Sequence, residues 1–167
     1  LGFSPGTCAG NQGYFNGFID DVKIYPYART AAQITQDYTT SKSGQSHSKG
    51  TNTSFGSSSN IFLSDGLIGY WKFDEGVGSS SIDSSGNNKT ATFATGDSSP
   101  SWSSAKFGIG LNFDGINDYI PVTTSTIFNT QTGFTISLWA KTNTHNSEKT
   151  MAMTAGYNVG INNYNNK

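Results

Sequence analysis

Charge is scarce in this chain. Lysine and arginine number 10 and the acidic residues 11, for a formal net charge of −1 over 167 residues. With no basic stripe, the sequence lacks the electrostatic footprint by which proteins hold nucleic acid or an anionic membrane surface. No apolar run approaches the roughly 18 residues of a membrane-crossing helix. Cysteine occurs once, at Cys8, so no internal disulfide can form. Histidine occurs only at positions 47 and 145, and without a His/Cys cluster zinc is not expected. Glutamate is limited to Glu75 and Glu148. A retaining glycosidase needs two carboxyls about 5 Å apart that face one cleft. The adjacent pairs Asp20–Asp21 and Asp74–Glu75 instead point to opposite faces of an extended chain. No Ser/His/Asp or Cys/His grouping is legible, and the chain is read as non-catalytic.

What the chain does contain is turn chemistry and rings. Glycine occurs 20 times, serine, threonine and asparagine are abundant, and aromatics reach 13%. Short aromatic and β-branched runs separated by Gly, Ser and Asn predict an all-β sandwich or barrel. This composition also predicts an extracellular or cell-surface protein.

The first run, 14–25, reads as one strand. Plain alternation puts Phe18, Val22 and Ile24 on one face with Asp20, and Ile19, Asp21, Lys23 and Tyr25 on the other. A carboxylate among apolar neighbours is costly unless partnered. Pro26 ends the ladder, and Thr30 with Gln33 has capping-box spacing. The helix so begun is expected to run about two turns to Tyr38, with Ala31, Ile34 and Tyr38 forming a lid. Residues 39–60 then carry 15 Ser, Thr or Gly in 22 positions and read as a flexible linker.

From Gly66 a second block opens, with Leu67, Gly69, Trp71 and Phe73 alternating inward. Residues 82–88 form a turn, and Ile109, Leu111 and Phe113 form another inward face. Phe134, Ile136, Leu138 and Ala140 make a further strand, and two short strands are expected between Met151 and Ile161.

The block from Gly66 carries Gly66-Leu67-Ile68-Gly69-Tyr70-Trp71-Lys72-Phe73-Asp74-Glu75-Gly76 and then Asp83-Ser84-Ser85-Gly86-Asn87. Further on come Lys106-Phe107-Gly108, Leu111-Asn112-Phe113-Asp114-Gly115, Asp118-Tyr119-Ile120 and Phe134-Thr135-Ile136-Ser137-Leu138-Trp139. The run Phe15-Asn16-Gly17-Phe18-Ile19-Asp20-Asp21-Val22-Lys23-Ile24-Tyr25 supplies a closing signature. Together these resemble the laminin-G-like branch of the concanavalin A-like lectin/glucanase superfamily. The resemblance implies a jelly-roll sandwich of antiparallel sheets. Because the closing signature precedes the opening one, it also implies tandem modules. Residues 1–38 would end one module, 39–65 would link, and 66–167 would be the first part of the next. In this family the first and last strands of a module pair antiparallel, so residues 14–38 are expected to return beside Leu67–Phe73.

That pairing would bring Asp20 near the Asp74–Glu75 corner. With Asp83 and Asn87 in the adjacent turn, the oxygens of Asp20, Glu75, Asp83 and Asn87 are candidate ligands for a structural Ca²⁺. In the competing reading, Asp83 and Asn87 cap their turn and Asp20 accepts a backbone N–H. Trp102, Tyr119 and Trp139 are the candidate sugar platforms, against a role in packing at a sandwich edge. The resulting expectation is a lectin-like carbohydrate-binding module of a larger extracellular or surface protein. Its partners would be a glycan or surface protein and adjacent modules of the same chain. The alternative is an adhesive or spacer module that makes protein contacts and has no glycan ligand.

Overall fold

The computed structural model describes residues 13–42, 66–122, 133–143, 149–154 and 157–161. The Ser/Thr/Gly-rich linker from residue 43 onward lies outside these, as does Cys8.

Strand β2, Asn16–Tyr25, follows the two-residue β1, Gly13–Tyr14, and is the axis of the main sheet. Its apolar residues do not keep a strict alternation. Phe15, Ile19, Val22 and Ile24 all enter the core, although 19 and 22 differ in parity. The reason is a bulge. Asp20 pairs with Trp139 and Lys23 with Ser137, so two residues of β2 stand against one of the neighbouring strand, and Asp21 adopts φ 55°. Asp is among the residues that tolerate this conformation. The slip corrects the expected parity, because Phe18 and Asp20 leave the core side. It also removes the conflict in the sequence, since without it the Asp20 carboxylate would sit among Val22 and Ile24.

One edge of β2 pairs antiparallel with β8, Thr135–Thr142, along nearly its whole length. The other edge is shared. Its first half takes β7, Ile109–Asp114, and its second half takes β3, Gly69–Trp71, again antiparallel. The hairpin strand β6, Ser101–Ser104, extends the sheet beyond β7. The N-terminal segment therefore does return to the later block: Val22 faces Trp71, and the Ile68 N–H donates to the Ile24 carbonyl at 3.0 Å.

Two smaller assemblies complete the strands. β4, Ser80–Ser81, pairs with β5, Ala91–Thr92. β9, Lys149–Thr154, pairs antiparallel with β10, Tyr157–Ile161, and parallel with β1. The two strands expected between 151 and 161 thus form a hairpin.

The core lies under β2, where Phe15, Trp71, Phe73, Leu111, Phe113 and Ile120 are fully buried. Gly69 is required by the indole of Trp71, whose ring would lie 2.5 Å from any Cβ at that position. The indole N–H donates to the Lys89 carbonyl at 2.8 Å, so its burial leaves no unpaired donor. Ile136 and Leu138 pack against this core as their parity predicts. Ile109 does not follow Leu111 and Phe113 inward; it opens β7 and is 37% exposed.

Helix α1, Ala31–Lys42, starts at the expected capping box. The Gln33 amide oxygen accepts the Thr30 N–H at 2.8 Å, and the Gln33 N–H donates back to the Thr30 hydroxyl at 3.3 Å. The helix is longer than expected and shows the sheet a different face. Ile34 and Tyr38 are about half exposed, at 52% and 49%, whereas Asp37 is buried. Arg29 decides this orientation. Its guanidinium stacks 4.1 Å over the Tyr25 ring and pairs with Asp37 at 3.0 Å. A cation buried just before a helix selects the helical face that carries its counter-ion.

Candidate functional site

The bulge turns one side of β2 and β8 outward, opposite the core. Phe18 lies directly across from Lys141 and Asp20 across from Trp139, so these four share that face. Onto it folds the turn between β6 and β7. The turn closes through the Ala105 N–H on the Gly108 carbonyl at 3.1 Å, with Gly108 at φ 74°. It is fastened to the strand by the Phe107 N–H, which donates to Asp20 Oδ2 at 2.8 Å.

The fastening gathers rings around Trp139. Phe107 meets the indole edge-on at a centroid distance of 5.6 Å, and Tyr38 of α1 stacks on it at 5.6 Å and 27°. Lys106 Nζ stands 5.2 Å from the indole centroid, and Lys141 Nζ 5.8 Å from that of Phe18. Phe18, Phe107 and Trp139 are each half-buried, while both lysines are exposed. The result is an amphipathic ledge of aromatic surface with an ammonium group at either side.

Asp20, on the same face, is buried and poorly disposed to ionise. Burial pushes the Asp20 carboxyl up to about 7. The Phe107 N–H works against that rise, and the charges of Asp21 and Asp74 add to it. Within the bulge, Asp21 is engaged as well. It accepts the Tyr70 hydroxyl at 2.6 Å and the Lys23 ammonium at 2.6 Å.

The other two aromatic candidates lie elsewhere. Trp102 sits in strand β6, not in a loop. Its indole N–H donates to the Gly78 carbonyl at 2.7 Å, and its ring leans on Phe93 at 5.3 Å. Tyr119 joins the segment beyond Phe93 through its backbone, donating to Ser98 and accepting from Ala94. The structure does not bring either to Trp139.

Nor does it gather the four oxygen donors. Asp83 Oδ1 accepts the N–H groups of Tyr70 and Ser85, and Oδ2 that of Lys89, at 2.9–3.0 Å. Asn87 donates its amide to the Leu67 carbonyl at 2.9 Å. Glu75 Oε1 accepts from Ser81 and Ile82, and Asp20 is held by Phe107 across the strand. Among the described residues no three His, Cys, Asp or Glu side chains are placed to share a metal ion. Asp83 accepts N–H groups of its own turn and Asp20 that of Phe107, as the capping reading has them.

The sequence pattern did signal Trp139, whose parity opposes that of Ile136 and Leu138. Phe18 and Lys141 were hidden by the bulge, and Lys106 and Phe107 by the folding of their turn onto a distant strand; Tyr38, expected in the lid, does reach the sheet through Trp139. The fold defines the class: the described residues form mainly antiparallel sheets with one α-helix, an all-β protein. No helix among the described residues is long and apolar enough to cross a membrane. Comparison with family models, curated proteins and solved structures matched none of them to this chain.

Proposed function

We propose that this chain is a non-catalytic, lectin-like carbohydrate-binding module of a larger extracellular or surface protein, on a laminin-G-like jelly-roll sandwich. The observation that carries the reading is the half-buried indole of Trp139, held edge-on by Phe107, stacked by Tyr38 and flanked by Phe18 on the outward face of the sheet. Pyranose rings offer apolar C–H faces that stack on such surfaces, while hydroxyl groups at the rim find polar partners. Trp139 is given this role over Trp102 because the Trp102 indole N–H is already spent on the Gly78 carbonyl.

A glycan array probed with the whole chain, and with Trp139→Ala, tests this. Binding to at least one saccharide class is expected, with a loss of up to about tenfold in the variant while its far-ultraviolet circular dichroism is kept; aromatic contacts contribute about 0.5–1.5 kcal/mol. An array on which the folded chain binds nothing would remove the carbohydrate reading and leave an adhesive or spacer role. Undiminished binding by the variant would move the site away from the ledge.

A further inference from the structure

We infer that the ledge selects an anionic saccharide, specifically a uronate-bearing chain, over a neutral one. This rests on the carbohydrate reading of the same face and adds the charge class of its ligand.

The argument begins with the two lysines. Lys106 and Lys141 are exposed, and neither forms an ion pair among the described residues, where the pairs are Lys23 with Asp21 and Arg29 with Asp37. Each instead has its ammonium near an aromatic face, Lys106 beside Trp139 and Lys141 beside Phe18. The carboxylate that shares their face, Asp20, is 2% exposed and spent on the Phe107 N–H. Asp74 is exposed beside Gly108, at the margin of the ledge, with the Lys72 charge acting on it. Asp37, under the helix, is neutralised by Arg29. The ledge therefore presents two lysines that form no ion pair among the described residues, against one exposed carboxylate at its margin, and charge complementarity favours an anion.

The rings and the spacing narrow the class. Trp139 and Lys141 are two residues apart on one face of β8, about 7 Å along the strand, and Lys106 lies on the indole itself. Cations separated by ring surface suit a polymer whose carboxylates alternate with apolar sugar faces. A densely sulfated chain, with several charges on each sugar, would need a contiguous basic cluster. An acidic peptide would satisfy the lysines and leave the accessible ring surface uncovered.

The test is a titration of the whole chain with an oligomer of uronic acids and with the same oligomer after its carboxyls are reduced to alcohols, at low and moderate salt. Binding of the uronate form, weakened about tenfold or more by carboxyl reduction, is expected. That affinity should fall as salt rises, because exposed charges are screened within roughly 10 Å at 0.1 M. The double variant Lys106→Gln/Lys141→Gln should lose the preference and keep residual binding, whereas Trp139→Ala should lose both. Both lysines are exposed, so the double variant is expected to fold; circular dichroism checks this. Equal affinity for the uronate and reduced forms overturns the charge inference and leaves the carbohydrate reading standing. Equal binding of polyglutamate overturns it too, since charge alone would then suffice. A chain that binds neither oligomer yet binds a neutral glycan on the array overturns the charge inference alone, whereas silence on the array as well removes both.

Discussion

Two aspartates show how neighbours set the behaviour of one side-chain type. Burial raises the Asp20 carboxyl to about 7, and the single N–H of Phe107 does not cancel it. Burial also opposes ionisation of Asp83, but there the Ser85 hydroxyl and the N–H groups of Lys89, Tyr70 and Ser85 outweigh it and bring the carboxyl below its ordinary range. The consequences for stability have opposite signs. Between about pH 4 and 7 the folded state holds a proton on Asp20 that the unfolded chain releases, so this contribution is present at low pH and is lost as pH rises through 7. The contribution of Asp83 is present above its unfolded value, near 4, and is lost as pH falls through its depressed folded value. Asp20→Asn keeps an acceptor for Phe107 and is expected to flatten the acid side of the profile. It should stabilise the protein at pH 8 by about 1–2 kcal/mol, less than the full shift because solvent screens part of it. Urea titrations at pH 5 and pH 8 measure both effects. Asp83→Ala leaves three N–H groups without their acceptor and should cost about 2–4 kcal/mol at pH 7. The same saturation of Asp83 bears on calcium, which would have to displace those donors. Melting temperatures with added Ca²⁺ and with a chelator are expected to agree, and a rise with Ca²⁺ would show that the turn can reorganise around an ion.

At the scale of elements, β2 and α1 are each held in place by a local departure from the simplest pattern. The bulge lets β2 change partner on one edge, from β7 to β3, while β8 runs unbroken on the other. Near the start of that strand, Gly17 has φ 145°, and a Cβ there would collide with the Lys141 carbonyl. Gly17→Ala is therefore expected to cost about 3 kcal/mol or more and to loosen β8, visible as faster amide exchange of residues 139–142. The helix is docked by Arg29 and Asp37 rather than by an apolar stripe. Asp37→Ala strands a buried guanidinium and should destabilise by about 3–5 kcal/mol in denaturant titrations. The double variant Arg29→Met/Asp37→Leu should recover most of the loss, since well-packed apolar residues often replace a buried pair at little cost.

For the whole molecule, the consequence is that a segment at the front of the chain is the middle of the sheet. Among the described residues, strand β2 alone pairs with β3, β7 and β8. A chain lacking residues 1–38 is expected to lose its cooperative thermal transition, because β8 would have no partner and the core would lose Phe15, Ile19, Val22 and Ile24. Adding a peptide spanning residues 13–42 should restore the transition. A sharp transition without the peptide would mean that the later block folds alone.

Much of this architecture was legible in the residues. The all-β class, the capping box at Thr30, the inward Gly69, Trp71 and Phe73, and the outward Trp139 all follow from local pattern, because alternation and turn chemistry act over a few neighbouring positions. The return of residues 14–25 to the later block was legible only through the resemblance of two separated motifs. The bulge at Asp20–Asp21, the rotation of α1 onto Asp37, and the ledge of Phe18, Lys106, Phe107 and Lys141 were decided by tertiary structure. Each depends on a partner tens of residues away or on the opposite face of an element. A carboxylate with no acceptable place in a core is a local fact, but where the chain slips to expel it, and which rings and cations that slip then brings together, depends on contacts distant in sequence.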